Sequence, residues 1–166
     1  MSDIARKVCM LGDFGVGKTS LVARYVRNTF SEKYLTTVGV KVDSRVVALP
    51  GGVDLKLVIW DIAGKAALDS VNKNYLRGAS GLILVADGTR EASLRAALNL
   101  AMQARDVINE PACVLFVNKL DLVDRWEVAP AVLEEIRRSI TVFETSALSG
   151  DGVEAGFDEL ARMLAP

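Results

Sequence analysis

The sequence predicts an α/β fold, a six-stranded and mostly parallel sheet with one antiparallel strand and helices on both faces. Three observations carry this reading. Short β-like apolar runs alternate with helical patterns along all 166 residues. Two of the runs, 82–86 and 113–117, are continuously apolar, as expected of strands covered on both faces. Runs 38–49 and 53–60 flank Pro50-Gly51-Gly52, a hairpin signal that accounts for the antiparallel pairing.

Taken in order, 4–11 is the first strand. Leu21, Tyr25 and Val26 follow at helical spacing, and Asn28-Thr29 ends that helix. The hairpin supplies two strands and run 82–86 a fourth. Leu94, Ala97, Leu98, Ala101 and Met102 repeat at three and four, one stripe of an amphipathic helix. Run 113–117 is the fifth strand. Val128, Val132 and Ile136 make another helix, 140–143 the last strand, and Val153, Phe157, Leu160, Ala161 and Leu164 the closing helix. No repeat, low-complexity tract or linker divides the chain, so 1–166 reads as a single domain.

Composition excludes several functions. With 20 Lys+Arg against 21 Asp+Glu, the formal net charge of −1 argues against a nucleic-acid binder. There is no histidine, which removes any histidine nucleophile, base or metal ligand. Cys9 and Cys113 each lie in an apolar stretch and read as buried free thiols; two cysteines without histidine also argue against structural zinc. The apolar runs are too short to span a bilayer. Neither a signal-peptide pattern nor a myristoylation or prenylation signal is present, so a cytoplasmic protein without a direct lipid anchor is expected.

The chemistry begins directly after the first strand. Gly12-Asp13-Phe14-Gly15-Val16-Gly17-Lys18-Thr19 matches G-x-x-x-x-G-K-[ST], with Ser20 next in line. Its glycines let the backbone wrap close enough for N–H groups to face phosphate oxygens, and the helix starting near Gly17 adds its positive N-terminal end. In such a loop Lys18 reaches the β- and γ-phosphates and the Thr19 hydroxyl ligates Mg²⁺.

Asn118-Lys119-Leu120-Asp121 follows the fifth strand, at the end where doubly wound sheets bind ligands. The Asp121 carboxylate can accept from guanine N1–H and the 2-amino group. Adenine offers neither donor and would leave the carboxylate desolvated and unpaired. Asn118 can tie this loop to the phosphate loop, and the aliphatic stem of Lys119 can cover the base.

With these two elements in place, the sequence resembles a small GTPase of the Ras superfamily, and most of all its Rab branch. Trp60-Asp61-Ile62-Ala63-Gly64 is similar to the D-x-x-G element and Thr145-Ser146-Ala147-Leu148 to the S-A-[KL] element. Tyr75-Leu76-Arg77-Gly78-Ala79 is similar to the stretch after the second switch of Rab proteins. The resemblance runs over essentially the whole chain. It implies a P-loop NTPase G domain that binds GTP or GDP with Mg²⁺. By motif, Asp61 holds the metal through water, and Thr37 (or, less well placed before Val38-Gly39, Thr36) completes its coordination in the triphosphate state. The Gly64 N–H contacts the γ-phosphate, Phe30 packs on the guanine edge, and Ala147 donates to its O6. The loops about 30–38 and 62–75 are the implied switches. Effector and regulator proteins would then be met through residues about 30–42 and 60–76, with Val40, Val42, Trp60 and Leu76 as candidate apolar contacts or as core.

Two positions depart from that pattern. Lys65 stands where the family places the glutamine that orients the attacking water; a charged ammonium has donors only and cannot accept from the water. Phe14 stands where the family has Gly, Ser or Ala and could crowd the catalytic residue or an incoming arginine. Among the catalytic candidates Lys18, Thr37, Gly64 and Lys65, only Lys65 breaks the pattern, and slow hydrolysis is the expectation. The alternatives are a pseudo-GTPase that binds without useful turnover and a P-loop kinase or ATPase. The guanine-reading motif counts against the latter.

Overall fold

A computed structural model describes residues 4–28, 40–62 and 70–166. Its six-stranded sheet has the order β2-β3-β1-β4-β5-β6, where β1 is Ile4–Leu11, β2 Val40–Leu49, β3 Val53–Ile62, β4 Gly81–Asp87, β5 Ala112–Asn118 and β6 Thr141–Glu144. Only β2, at the edge, is antiparallel to its neighbour, paired from Val40↔Ile62 to Leu49↔Val53. Gly51 and Gly52 turn this hairpin at φ 86 and 78, a region that costs glycine little. The other five strands run parallel, so they all end at the same edge of the sheet.

Helices α1 (Lys18–Arg27) and α5 (Val153–Met163) cover one face, where Leu21, Tyr25, Phe157 and Leu160 pack on Met10, Leu57 and Phe116. Tyr25 stacks on Phe157 with ring centroids 4.2 Å apart. Helices α2 (Ser70–Tyr75), α3 (Glu91–Ala104) and α4 (Pro130–Arg137) lie over the other face, where Leu94, Ala97, Leu100 and Leu133 meet Leu11, Leu84 and Leu115. The chain leaves β1 toward β3 on one side and later returns to β4 on the other. A crevice therefore opens between the ends of β1 and β4, the place where such sheets take ligands.

The expected strands and helices are all found among the described residues, with four corrections in side-chain placement. Met102 is 66 % exposed, because the stripe of α3 turns through Leu100 instead. Val132 points outward on α4 while Leu133 packs in, and Val128 is buried in the segment before that helix, which Pro130 starts at its first turn. Cys9 is fully buried but Cys113 only partly so; both are free thiols, and burial pushes them up to about 12 and about 11. Leu76 is core. Val38, Gly39 and Thr29 fall outside the described residues.

Candidate nucleotide-binding site

The five parallel strands deliver the motif residues to one edge. At the end of β1, residues 12–19 form the glycine-rich loop expected to hold phosphate. Gly17 sits at φ 103, and a Cβ there would collide with the Asn118 amide. At Gly12 a Cβ would come within 2.5 Å of the Val85 carbonyl oxygen. The loop is thus pressed against β4 and β5 so tightly that only glycine fits at these two points. Val16 turns its side chain into the core and its carbonyl toward Asn118 Nδ2, which donates to it at 3.0 Å. Ser20 is buried in the first turn of α1.

Lys18 is buried, and its ammonium donates to the Gly12 carbonyl at 2.9 Å and the Asp13 carbonyl at 3.3 Å, across the concave side of the loop. Burial pushes its pKa below the ordinary value, while Asp61 and Asp13 oppose the shift. Thr19 Oγ1 donates to Asp61 Oδ2 at 2.6 Å. Burial raises Asp61, against the Thr19 hydrogen bond and the Lys18 charge. A hydroxyl and a carboxylate in contact beside the phosphate loop are oxygen donors of the kind a hard divalent cation takes, with phosphate supplying the rest. Phe14 projects outward, 62 % exposed, with its N–H bonded to Asp13 Oδ1 at 2.8 Å.

At the ends of β5 and β6 the residues expected to read the base are joined by their own side chains. Asn118 is buried, and its Oδ1 accepts from Thr145 Oγ1 at 3.1 Å and from the Ala147 N–H at 3.3 Å. Ser146 Oγ donates to Asp121 Oδ1 at 2.8 Å and accepts from the Ser149 N–H at 3.1 Å. Asp121 itself is exposed. Lys119 has a left-handed backbone, φ 72, and its ammonium pairs with Asp87 at 2.9 Å. Leu148 is exposed, and its carbonyl and that of Ala147 accept from Arg24 at 2.7 and 2.9 Å, which pins this loop to α1.

These placements bring Gly12, Asp13, Phe14, Gly15, Val16, Gly17, Lys18, Thr19, Ser20, Asp61, Asn118, Lys119, Asp121, Ser146, Ala147 and Leu148 to one edge of the sheet. Phe30, Thr36, Thr37, Gly64 and Lys65 lie outside the described residues. Comparison with known proteins shows the family. The family model described as "Ras family" matches residues 7–165. The chain belongs to the Ras family. Among its relatives, Ras-related protein Rab-13 of Rattus norvegicus is 36 % identical over 161 residues, covering 94 % of this chain and 78 % of that protein. GTP-binding protein ypt1 of Schizosaccharomyces pombe is 33 % identical over 165 residues, 98 % of this chain and 81 % of that protein. Ras-related protein Rab-11A of Dictyostelium discoideum is 32 % identical, with 98 % and 77 % covered. This is a Rab-like small GTPase of the Ras superfamily.

Several residues that hold this Ras-family site together were not singled out in the sequence. Asp87, the last residue of β4, accepts from Lys119 Nζ and from Thr89 through both its N–H and Oγ1, at 2.9 and 2.7 Å. Burial alone would raise its pKa, but those bonds outweigh it and hold Asp87 below the ordinary carboxylate value. Its place, a polar residue closing an apolar strand at the ligand edge, was the available signal. Trp126 donates its indole N–H to the Lys119 carbonyl at 2.9 Å and lies so close over Gly88 that a Cβ there would overlap the ring. Nothing in the local sequence marks either contact. No helix among the described residues is long and apolar enough to cross a membrane.

Proposed function

We propose that the protein is a guanine-nucleotide switch that binds GTP and GDP with Mg²⁺, hydrolyses GTP slowly and signals to a protein partner. The observation that carries this reading is the double bonding of Asn118. Its amide donates to the phosphate loop at Val16 and its oxygen accepts from the base loop at Thr145 and Ala147, so one buried side chain fixes the distance between the two halves of the site.

In this reading the Lys18 ammonium exchanges its two loop carbonyls for β- and γ-phosphate oxygens, and phosphate charge offsets the cost of burying it. N–H groups of residues 13–19 surround the same phosphates. Thr19, Thr37 and, through water, Asp61 would hold Mg²⁺, which would supply charge neutralisation on the phosphates. Asp121 takes the two donors of guanine, kept oriented by Ser146; the Ala147 N–H shares its long bond with O6, the Lys119 stem covers a base face and Phe30 packs on the guanine edge. Gly64 contributes its N–H to the γ-phosphate. Loss of that phosphate releases the two switch segments, and residues about 30–42 and 60–76 present the difference to effector, exchange and activating proteins. Of the described residues there, Val42 is 48 % exposed, and Trp60 is half-buried with the Lys7 ammonium 3.6 Å from its ring centroid.

Slow turnover follows from Lys65, which cannot accept a hydrogen bond from the attacking water, and from Phe14, whose outward ring occupies the approach of an activating partner. Single-turnover hydrolysis of bound GTP by wild type and Lys65→Gln tests this. The expected result is a slow wild type and a variant at least about tenfold faster. A fast wild type that the substitution leaves unchanged or slows would reject it. A wild type that keeps GTP intact even with Lys65→Gln favours the second reading, a binding module without useful turnover, which the same two residues support. Competition between GTP and ATP separates both from a kinase or ATPase.

A further inference from the structure

We infer that Arg90, at the start of α3, is a positioning residue for the phosphate loop, setting the orientation of the Phe14–Gly15 peptide. The inference rests on reading 12–19 as a phosphate-binding loop. Arg90 Nη2 donates to the Phe14 carbonyl at 2.9 Å, across the crevice between β1 and β4. Its Nε lies 3.4 Å from Asp87 Oδ2, and its Nη1 3.8 Å from Asp13 Oδ2. Asp87 is a firm anchor, because its buried carboxylate is also held by Lys119 and by two donors of Thr89. One guanidinium therefore links a fixed carboxylate to one carbonyl of the loop.

That carbonyl matters because of peptide geometry. The described residues contain no cis peptide, and in a trans peptide C=O and N–H point in opposite directions. With the Phe14 oxygen drawn toward Arg90, the Gly15 N–H is turned away from it. Gly15 lies at φ 78 and has no side chain to resist rotation, while the Phe14 ring is largely in solvent and anchors little. Rotation of this one peptide would replace an N–H with a carbonyl oxygen on the side where an anion would sit, exchanging attraction for repulsion. Arg90 suits the task where lysine would not, since only the planar fork reaches carbonyl and carboxylate together.

The test uses the full chain loaded with a fluorescent GDP analogue, as wild type, Arg90→Ala, Arg90→Lys and Arg95→Ala. Arg95 is exposed on α3 and serves as the control. Release chased with excess GDP is expected to be about tenfold faster for Arg90→Ala, intermediate for Arg90→Lys and unchanged for the control. The ³¹P resonance of the β-phosphate of bound GDP should shift in the Arg90 variants, which a purely structural loss of stability would not produce. Wild-type release rates in both Arg90 variants, or faster release with an unmoved ³¹P resonance, would overturn the inference. Should Arg90→Ala fail to fold, Arg90→Lys alone decides by the same two measurements. A wild type that retains no guanine nucleotide overturns the nucleotide reading itself, and this inference with it.

Discussion

The two halves of the site are built on different principles. In the base-reading half, at the ends of β5 and β6, polar side chains bond to one another: Thr145 and Ala147 to Asn118, Ser146 to Asp121, Trp126 to the Lys119 backbone. In the phosphate half, at the end of β1, the pattern is backbone and charge. Glycines bring the loop within contact of β4 and β5, and the buried Lys18 ammonium rests on two carbonyls with its pKa depressed by burial. The first half is held together by these mutual bonds. The second buries an ammonium beside the carboxylates of Asp61 and Asp13. In the proposed function, selectivity belongs to the preformed side-chain network and affinity to the loop. Asn118 and Asp87 are the two links between them.

Breaking the Asn118 link should have the largest effect. Asn118→Ala removes the bond to Val16 and leaves the Thr145 hydroxyl and Ala147 N–H buried without their acceptor. Nucleotide release should accelerate by on the order of 10²-fold, with a loss of about 2–3 kcal/mol in stability. Stopped-flow release and urea unfolding measure the two. An unchanged release rate would mean that the halves are spaced by the fold alone.

Asp87→Asn tests the second link through its pH dependence. A carboxyl held below its ordinary value of 3.8 binds fewer protons folded than unfolded, so its contribution is full above that value and disappears as pH falls through the lower folded pKa. The variant should be less stable than wild type by about 1–3 kcal/mol at pH 7. The gap should close in acid, below the ordinary carboxylate value. A gap constant with pH in parallel urea titrations would assign the loss to packing rather than charge. The smallest effect is expected of Trp126→Phe, which keeps the ring over Gly88 but loses the indole N–H bond to Lys119. About 1 kcal/mol, or a few-fold in GDP affinity with phosphate contacts intact, is anticipated by calorimetry.

How much of this was legible beforehand differs between the same two halves. The phosphate loop and Asn118-Lys119-Leu120-Asp121 are contiguous and follow apolar runs, so both could be read directly, and Asn118 does tie the two loops together. The errors sit where a periodic pattern leaves more than one apolar residue to choose from. Met102 and Val132 both fit a helical stripe, but Leu100 and Leu133 lie closer to the sheet and take the buried positions. Asp87, Arg90, Arg24 and Trp126 were missed because each acts on a residue distant in the chain.

Local sequence carries the alternation of strands and helices, the hairpin at Pro50-Gly51-Gly52 and the motifs on which the proposed phosphate and guanine contacts rest. These depend on local periodicity, turn chemistry and contiguous motifs, all written within a few neighbouring residues. The strand order, and with it which strand ends meet, is set by long-range packing. The order β1-β4-β5 puts Arg90 over Phe14, Asp87 beside Lys119 and Asn118 against Gly17. Such pairings arise when parallel strands end at a common edge, and no local pattern encodes them.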